Sequence, residues 1–177
     1  LVGYGLGARL EFLMIPVIFG IGAAMTAMVG ANIGAGRTDR ALRIAWTGSL
    51  AAAGIVGSIG LLLAVYPDLW LGMFLDPSNT TALDAGRNYF RLVAPFYAFF
   101  GLGLALYFAS QGAGRMIWPV MSSLSRMAVA LVGALILTSY TNMRVEGIFA
   151  AIGCSMLAFG LIIALAIRCK GWRREKP

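Results

Sequence analysis

Gly3-Tyr4-Gly5-Leu6-Gly7-Ala8-Arg9-Leu10-Glu11-Phe12-Leu13-Met14-Ile15-Pro16 opens an apolar run that reaches Gly30 and closes on Ala31-Asn32-Ile33-Gly34-Ala35-Gly36-Arg37. The run is long enough to cross a bilayer, which takes roughly 20 apolar residues. It carries a single carboxylate, Glu11, and a single proline, Pro16. A charge at the centre of a membrane helix costs about 2.5 kcal/mol or more on insertion scales, so such a residue marks a pathway or a charge partner. Glycine reaches left-handed backbone angles at little cost, so Gly34-Ala35-Gly36 reads as the end of this helix. Arg37, Arg40 and Arg43 follow at once.

The rest of the chain repeats that pattern. Of its 177 residues, 60% are hydrophobic and 12% charged. A soluble domain carries about 25% charged residues, so this chain lacks the polar side chains to cover a water-soluble globule. It reads as an all-α, polytopic transmembrane bundle. The net charge of +7 sits in short clusters between apolar runs. That is the pattern of a membrane protein's positive-inside bias rather than of a nucleic-acid surface. There is no histidine, and the two cysteines are Cys154 in an apolar run and Cys169 in a basic stretch. Neither a disulfide framework nor a metal site is expected. The chain opens inside apolar sequence with no signal peptide in view, and it is expected to be the C-terminal piece of a longer polypeptide.

Five spans are expected, at about residues 4–33, 45–66, 92–111, 116–139 and 147–167. Together they form a bundle over residues 1–168, followed by a basic tail at 169–177. Pro16 should kink the first span near Phe12 by removing a backbone donor. Gly20, Gly22, Ala23, Ala27, Gly30 and Gly34 offer it a small-residue surface for close helix packing. In the second span Gly54, Gly57 and Gly60 do the same, and Pro67 ends it. Asp76-Pro77-Ser78-Asn79 reads as a turn. Thr81-Ala82-Leu83-Asp84 has capping-box spacing. Trp70, with Met73, Phe74 and Leu75, suggests a short helix at the membrane interface. The third span is the most aromatic, with Phe96, Tyr97, Phe99, Phe100, Tyr107 and Phe108. The fourth holds Ser122, Ser125 and Arg126 on one face by helical spacing, and Arg126 lies roughly 15 Å in from its start.

Lysine and arginine counts set the orientation. Nine lie on the side holding Arg37, Arg40, Arg43, Arg115 and the tail; three, Arg87, Arg91 and Arg144, lie on the other. The richer side is read as cytoplasmic. The C-terminus is then cytoplasmic, in a multi-pass protein of the plasma (inner) membrane. Gly34-Ala35-Gly36-Arg37 and Gly112-Ala113-Gly114-Arg115 are near copies, both at cytoplasmic turns. They hint at an internal repeat, although tight turns favour such residues anyway.

The candidate residues follow from cost. Glu11 could bind a substrate cation or a coupling proton, or form a structural ion pair. Arg126 could repel cations, contact backbone carbonyls, or reach Glu11, since a long side chain can span the depth between them. Tyr97 and its aromatic neighbours could face flat amphipathic cations by cation–π contact, or pack against lipid. Pro16 and Gln111 complete the transport candidates, with helix capping the default role for Gln111. Gly34, Gly36, Arg37, Gly112, Gly114 and Arg115 mark the two turns.

The run from Tyr4 to Arg37, above all Val29-Gly30-Ala31-Asn32-Ile33-Gly34-Ala35-Gly36-Arg37, resembles the multidrug and toxic compound extrusion (MATE) family. So does the segment from Pro95 to Pro119, with Tyr107-Phe108-Ala109-Ser110-Gln111-Gly112-Ala113-Gly114-Arg115 and Trp118-Pro119. The resemblance covers nearly the whole chain. It implies twelve spans in two lobes, of which this chain supplies the last five. It implies export of amphipathic, often cationic, drugs or toxic compounds against inward H+ or Na+, by alternating access and without a cofactor. Its partners would be the lipid bilayer, the missing N-terminal lobe and a small-molecule substrate, with no nucleic acid. Some family members use a carboxylate in the span that would be the third here. This chain has no acidic residue between Arg91 and Gln111, so the resemblance puts the coupling carboxylate in the N-terminal lobe, or else involves Glu11.

Two rivals make different demands. A lipid-linked precursor flippase of related architecture should line its cavity with several arginines. A membrane-embedded enzyme needs clustered His, Asp or Glu at depth, and only Glu11 qualifies, so no enzymatic activity is expected. A non-transporting membrane scaffold is the remaining alternative.

Overall fold

The computed structural model describes residues 2–140, 145–170 and 172. Its helices are α1 (Val2–Gly34), α2 (Thr38–Val65), α3 (Asp68–Leu71), α4 (Thr80–Val93), α5 (Tyr97–Gly112), α6 (Ile117–Tyr140) and α7 (Val145–Lys170). A single 3-10 turn, Ala94–Phe96, joins α4 to α5. No strand occurs among the described residues. Five segments are long and apolar enough to cross a membrane: Gly5–Gly34, Thr38–Val65, Thr80–Gly112, Ile117–Ser139 and Val145–Cys169. The fold is an all-α bundle with five membrane-capable spans. Arg144 and most of the expected tail lie outside the described residues.

The third span, α4 with α5, is the hub. It packs against α1, α2 and α7, and Tyr89, Phe90, Val93, Ala94, Tyr97, Ala105, Leu106 and Ala109 are all buried in it. Without a hydrophobic drive between helices in lipid, close approach must come from small residues. Gly57 meets Ala98, Gly60 meets the Ala94 carbonyl, and Gly101 meets the Ala52 carbonyl, which seats α2 on α5. Gly22 lies under the Phe108 ring, and Gly112 lies over the Thr26 carbonyl, which seats α1. The Thr26 hydroxyl stands 2.9 Å from the carbonyls of both Gly22 and Phe108, so it donates within its own helix and across to α5. Gly160 abuts the Phe99 carbonyl and seats α7. Of the small residues expected to pack, Gly20, Gly34 and Gly54 face open space.

The fourth span is different. α6 packs along α7 and only grazes α5. Its outer face, with Ile117, Met121, Leu124, Leu131 and Leu135, is exposed. The wedge left between α6 and the hub is where the cavity lies.

Several local expectations change, the first being that the second span starts at Thr38 rather than near residue 45. The third span starts at Thr80 rather than near residue 92. Arg87 and Arg91 made its first turns look like loop, but Arg87 is held by a carboxylate from outside the helix. Pro95 does not end the span, because it sits in the 3-10 turn, where its missing donor is harmless. The helix cap is Asn79, not the Thr81 box: Asn79 Oδ1 accepts from the Ala82 N–H at 3.3 Å. Asn79 precedes the first helical residue, which is where a side-chain acceptor meets the free N–H groups. Pro16 lies inside α1, which is helical on both sides of it from Val2 to Gly34. The Asp76–Asn79 turn forms as expected, with Asp76 Oδ1 accepting from the N–H and hydroxyl of Ser78.

Both glycine turns close in the same way. Arg37 N–H donates to Asn32 O and Gly36 N–H to Ile33 O; Arg115 N–H donates to Ser110 O and Gly114 N–H to Gln111 O. This is the paired helix-ending motif that needs a left-handed residue. Gly36 at φ 73° and Gly114 at φ 67° supply it, and they are the only residues with positive φ among those described.

A candidate transport cavity

Glu11 is placed by α1, and the hub closes over it. The Tyr89 hydroxyl of α4 donates to Glu11 Oε1. The Tyr97 hydroxyl of α5 lies 3.5 Å from the same oxygen. Gly7, one turn before Glu11, makes this possible: any side chain there would collide with the Tyr89 ring. The ring is held edge-on against Phe149 of α7, with centroids 5.2 Å apart. Two tyrosine hydroxyls therefore give a carboxylate at membrane depth the hydrogen bonds it needs.

Beside this cluster opens a cavity of about 560 Å³. Its lining includes Glu11 of α1, Tyr89 of α4, Phe100 and Tyr107 of α5, Arg126 of α6 and Phe159 of α7. The Arg126 guanidinium stands 4.9 Å from the Phe100 ring centroid and 5.8 Å from that of Phe159. Both distances are within cation–π range. Glu11 and Arg126 thus share one cavity. They are not a salt bridge, since the ion pairs among the described residues are Arg87 with Asp68 and with Asp84. Ser122 and Ser125, on the helix face of Arg126, donate to the backbone carbonyls of Pro119 and Ser122.

The other candidates fall elsewhere. Tyr97 is fully buried behind Glu11 and reaches the site through its hydroxyl. Pro16 lies on an exposed face of α1, and Gln111 is exposed on the last turn of α5; neither lines the cavity. Gly34, Gly36, Arg37, Gly112, Gly114 and Arg115 form the two turns and stand apart from it. Tyr89 was not foreseen. Its signal was its spacing: it precedes Tyr97 by eight residues, about two helical turns, so a helix running through both presents them on one face. Among the described residues no group of His, Cys, Asp or Glu could hold a metal.

A multi-pass helical bundle with a charged, partly polar cavity wedged between its spans has the architecture of a membrane transporter. A sequence profile of the MatE family matches residues 1–136, and the chain belongs to that family, whose members are transporters rather than enzymes. Neither the curated proteins nor the solved structures give a match.

Proposed function

We propose that this chain is part of a secondary active exporter that moves amphipathic compounds outward in exchange for inward H+ or Na+. The bundle acts as the C-terminal lobe of a two-lobe transporter in the plasma membrane, with its C-terminus cytoplasmic. It rocks against a preceding lobe around the shared cavity. Glu11 binds the coupling ion. The observation that carries this reading is the placement of Glu11: a carboxylate at membrane depth, held by the Tyr89 and Tyr97 hydroxyls, on the wall of a cavity large enough for a drug-sized molecule. On this reading Glu11 takes the coupling role that the family pattern alone would place in the other lobe.

The flippase reading is not favoured. It calls for several arginines around the cavity, and among the described residues Arg126 is the single one lining it.

The test is drug accumulation in cells or proteoliposomes carrying the full-length protein, with an imposed Na+ or pH gradient. Glu11→Gln should lower gradient-driven export by at least about tenfold, the cost of one charge-assisted contact. Export that survives the substitution intact overturns the assignment.

A further inference from the structure

Arg126 is unusually placed for a cation at membrane depth. Among the described residues it makes no hydrogen bond and no ion pair; what it touches are the faces of two rings, Phe100 and Phe159. Ring faces satisfy the flat sides of a guanidinium. They leave its five N–H donors, which lie in the guanidinium plane, without acceptors. The charge of Glu11 across the cavity attracts Arg126, but it makes no hydrogen bond to the guanidinium. Arg126 lines the cavity, so the missing acceptor can come from whatever enters it.

The other charged group on the wall does not fill that need. Glu11 accepts from Tyr89 and Tyr97 on one oxygen, Oε1, and although its charge is felt at Arg126 it lies beyond ion-pair reach of the guanidinium. Two buried rings, Phe100 and Phe159, would be the natural seat for an organic cation. That seat is taken by the protein's own guanidinium.

We propose that Arg126 is the anion receptor of this cavity. The transported compound carries an acid group, a carboxylate, sulfonate or phosphate, on a flat apolar body. Permanent monocations without such a group bind poorly, because Arg126 already occupies the aromatic wall. This rests on the exporter reading above and narrows its compound class from amphipathic compounds to amphipathic acids, zwitterions included. The guanidinium fork matches two oxygens of an acid at once, which an ammonium does not.

Two fluorescent probes with the same ring and opposite charge test this: anthracene-carboxylate and anthracenylmethyl-trimethylammonium. Binding is measured to the full-length protein in phosphatidylcholine nanodiscs. The wild type should bind the carboxylate at least about tenfold more tightly, the factor expected for hydrogen bonds to a charged group. Arg126→Gln should abolish or invert that preference, and Arg126→Lys should keep part of it. Equal binding, tighter binding of the ammonium, or a carboxylate preference that survives Arg126→Gln overturns the proposal. The wild-type ratio decides even if a variant fails to fold. In nanodiscs containing phosphatidylglycerol, Arg126-dependent loss of the carboxylate probe assigns the site to a lipid headgroup and also overturns it. Gradient-driven export by Glu11→Gln is read separately. Normal export there sinks the exporter site, whereas lost export with an unchanged probe ratio in Arg126→Gln sinks only the anion receptor.

Discussion

Tyr89 donates a hydrogen bond to the carboxylate of Glu11, 78 residues earlier in the chain and on another span. This contact ties the only acidic residue of the first span to the hub of the bundle. It also explains Gly7, which is small because the Tyr89 ring passes over it.

That relationship predicts a coupled pair. Tyr89→Phe keeps the ring against Phe149 and removes the donor, leaving Glu11 with the longer contact to Tyr97. It should cost about 1 kcal/mol, in the usual range for a hydrogen bond between membrane helices. Gly7→Ala should do similar damage by pushing the ring off Glu11. The two together should cost less than their sum, by at least about 0.5 kcal/mol, because each destroys the same contact. Thermal melting of the detergent-solubilised protein gives the cycle, and additive effects would refute the account of Gly7.

Much of this fold was legible in the sequence. Five apolar runs give five spans because lipid demands internally satisfied backbone, and helices are what such runs can form. Glu11 and Arg126 stood out because a charge at depth is too costly to be incidental. Tyr89 did not, since it lies among Arg87, Asn88 and Arg91, where a polar composition reads as loop. The helix continues there because Asn79 caps it and Asp68 neutralises Arg87. The wedge between α6 and the hub was also hidden. It depends on which faces of two apolar helices meet, and a helix apolar all round does not declare its contact face.

The glycines divide into those that must be small and those that need not be. A side chain at Gly60 would strike the Ala94 carbonyl, and one at Gly160 the Phe99 carbonyl. Backbone cannot step aside as a side chain can, so Gly60→Val and Gly160→Val should each cost about 1–3 kcal/mol by overpacking. Gly20 and Gly54 face open space. Gly20→Ala and Gly54→Ala should be neutral or should stabilise by up to about 1 kcal/mol, the helix-propensity gain over glycine. Melting temperatures of the four variants check the division, and a loss at Gly20 equal to that at Gly60 would contradict it.

Gly36 and Gly114 are constrained by angle instead. Nothing lies near either position, yet both sit in the left-handed region. Alanine there should cost about 1–2 kcal/mol from its Cβ against the following carbonyl. Asparagine should cost less, since it tolerates the same angles. Gly34→Ala, in the same turn with open space and ordinary helical angles, should cost nothing. Equal losses at Gly34 and Gly36 would show that space, not backbone angle, decides this turn.

The far end of the bundle carries a pH-dependent clasp. Arg87 of α4 reaches Asp68 of α3 with two parallel contacts, Nε to Oδ1 at 2.8 Å and Nη2 to Oδ2 at 3.0 Å. The hydrogen bond from Arg87 holds the Asp68 carboxyl below the usual carboxylate range, with the Arg87 and Arg91 charges acting in the same direction. The sign follows from linkage. A carboxyl with a lowered folded pKa stabilises the folded state above its ordinary pKa, and that contribution fades as pH falls through the lowered one. The clasp should therefore be fully present at neutral pH and lost only in acid below the normal aspartate range. Asp68 is exposed and Arg87 partly so, so salt should also weaken it. α3 is otherwise anchored by Leu71, buried against Gly86 of α4, and by Trp70, whose indole N–H donates to the Leu6 carbonyl at 3.0 Å. Opening the clasp should loosen α3 without unfolding the spans. Hydrogen exchange of residues 68–71 should accelerate in Asp68→Asn at neutral pH while exchange in α5 stays unchanged. In acid the wild type should lose the same protection, once the slower intrinsic exchange at low pH is allowed for. A variant no faster than wild type at neutral pH would leave Leu71 and Trp70 as the anchors and the ion pair without a structural role.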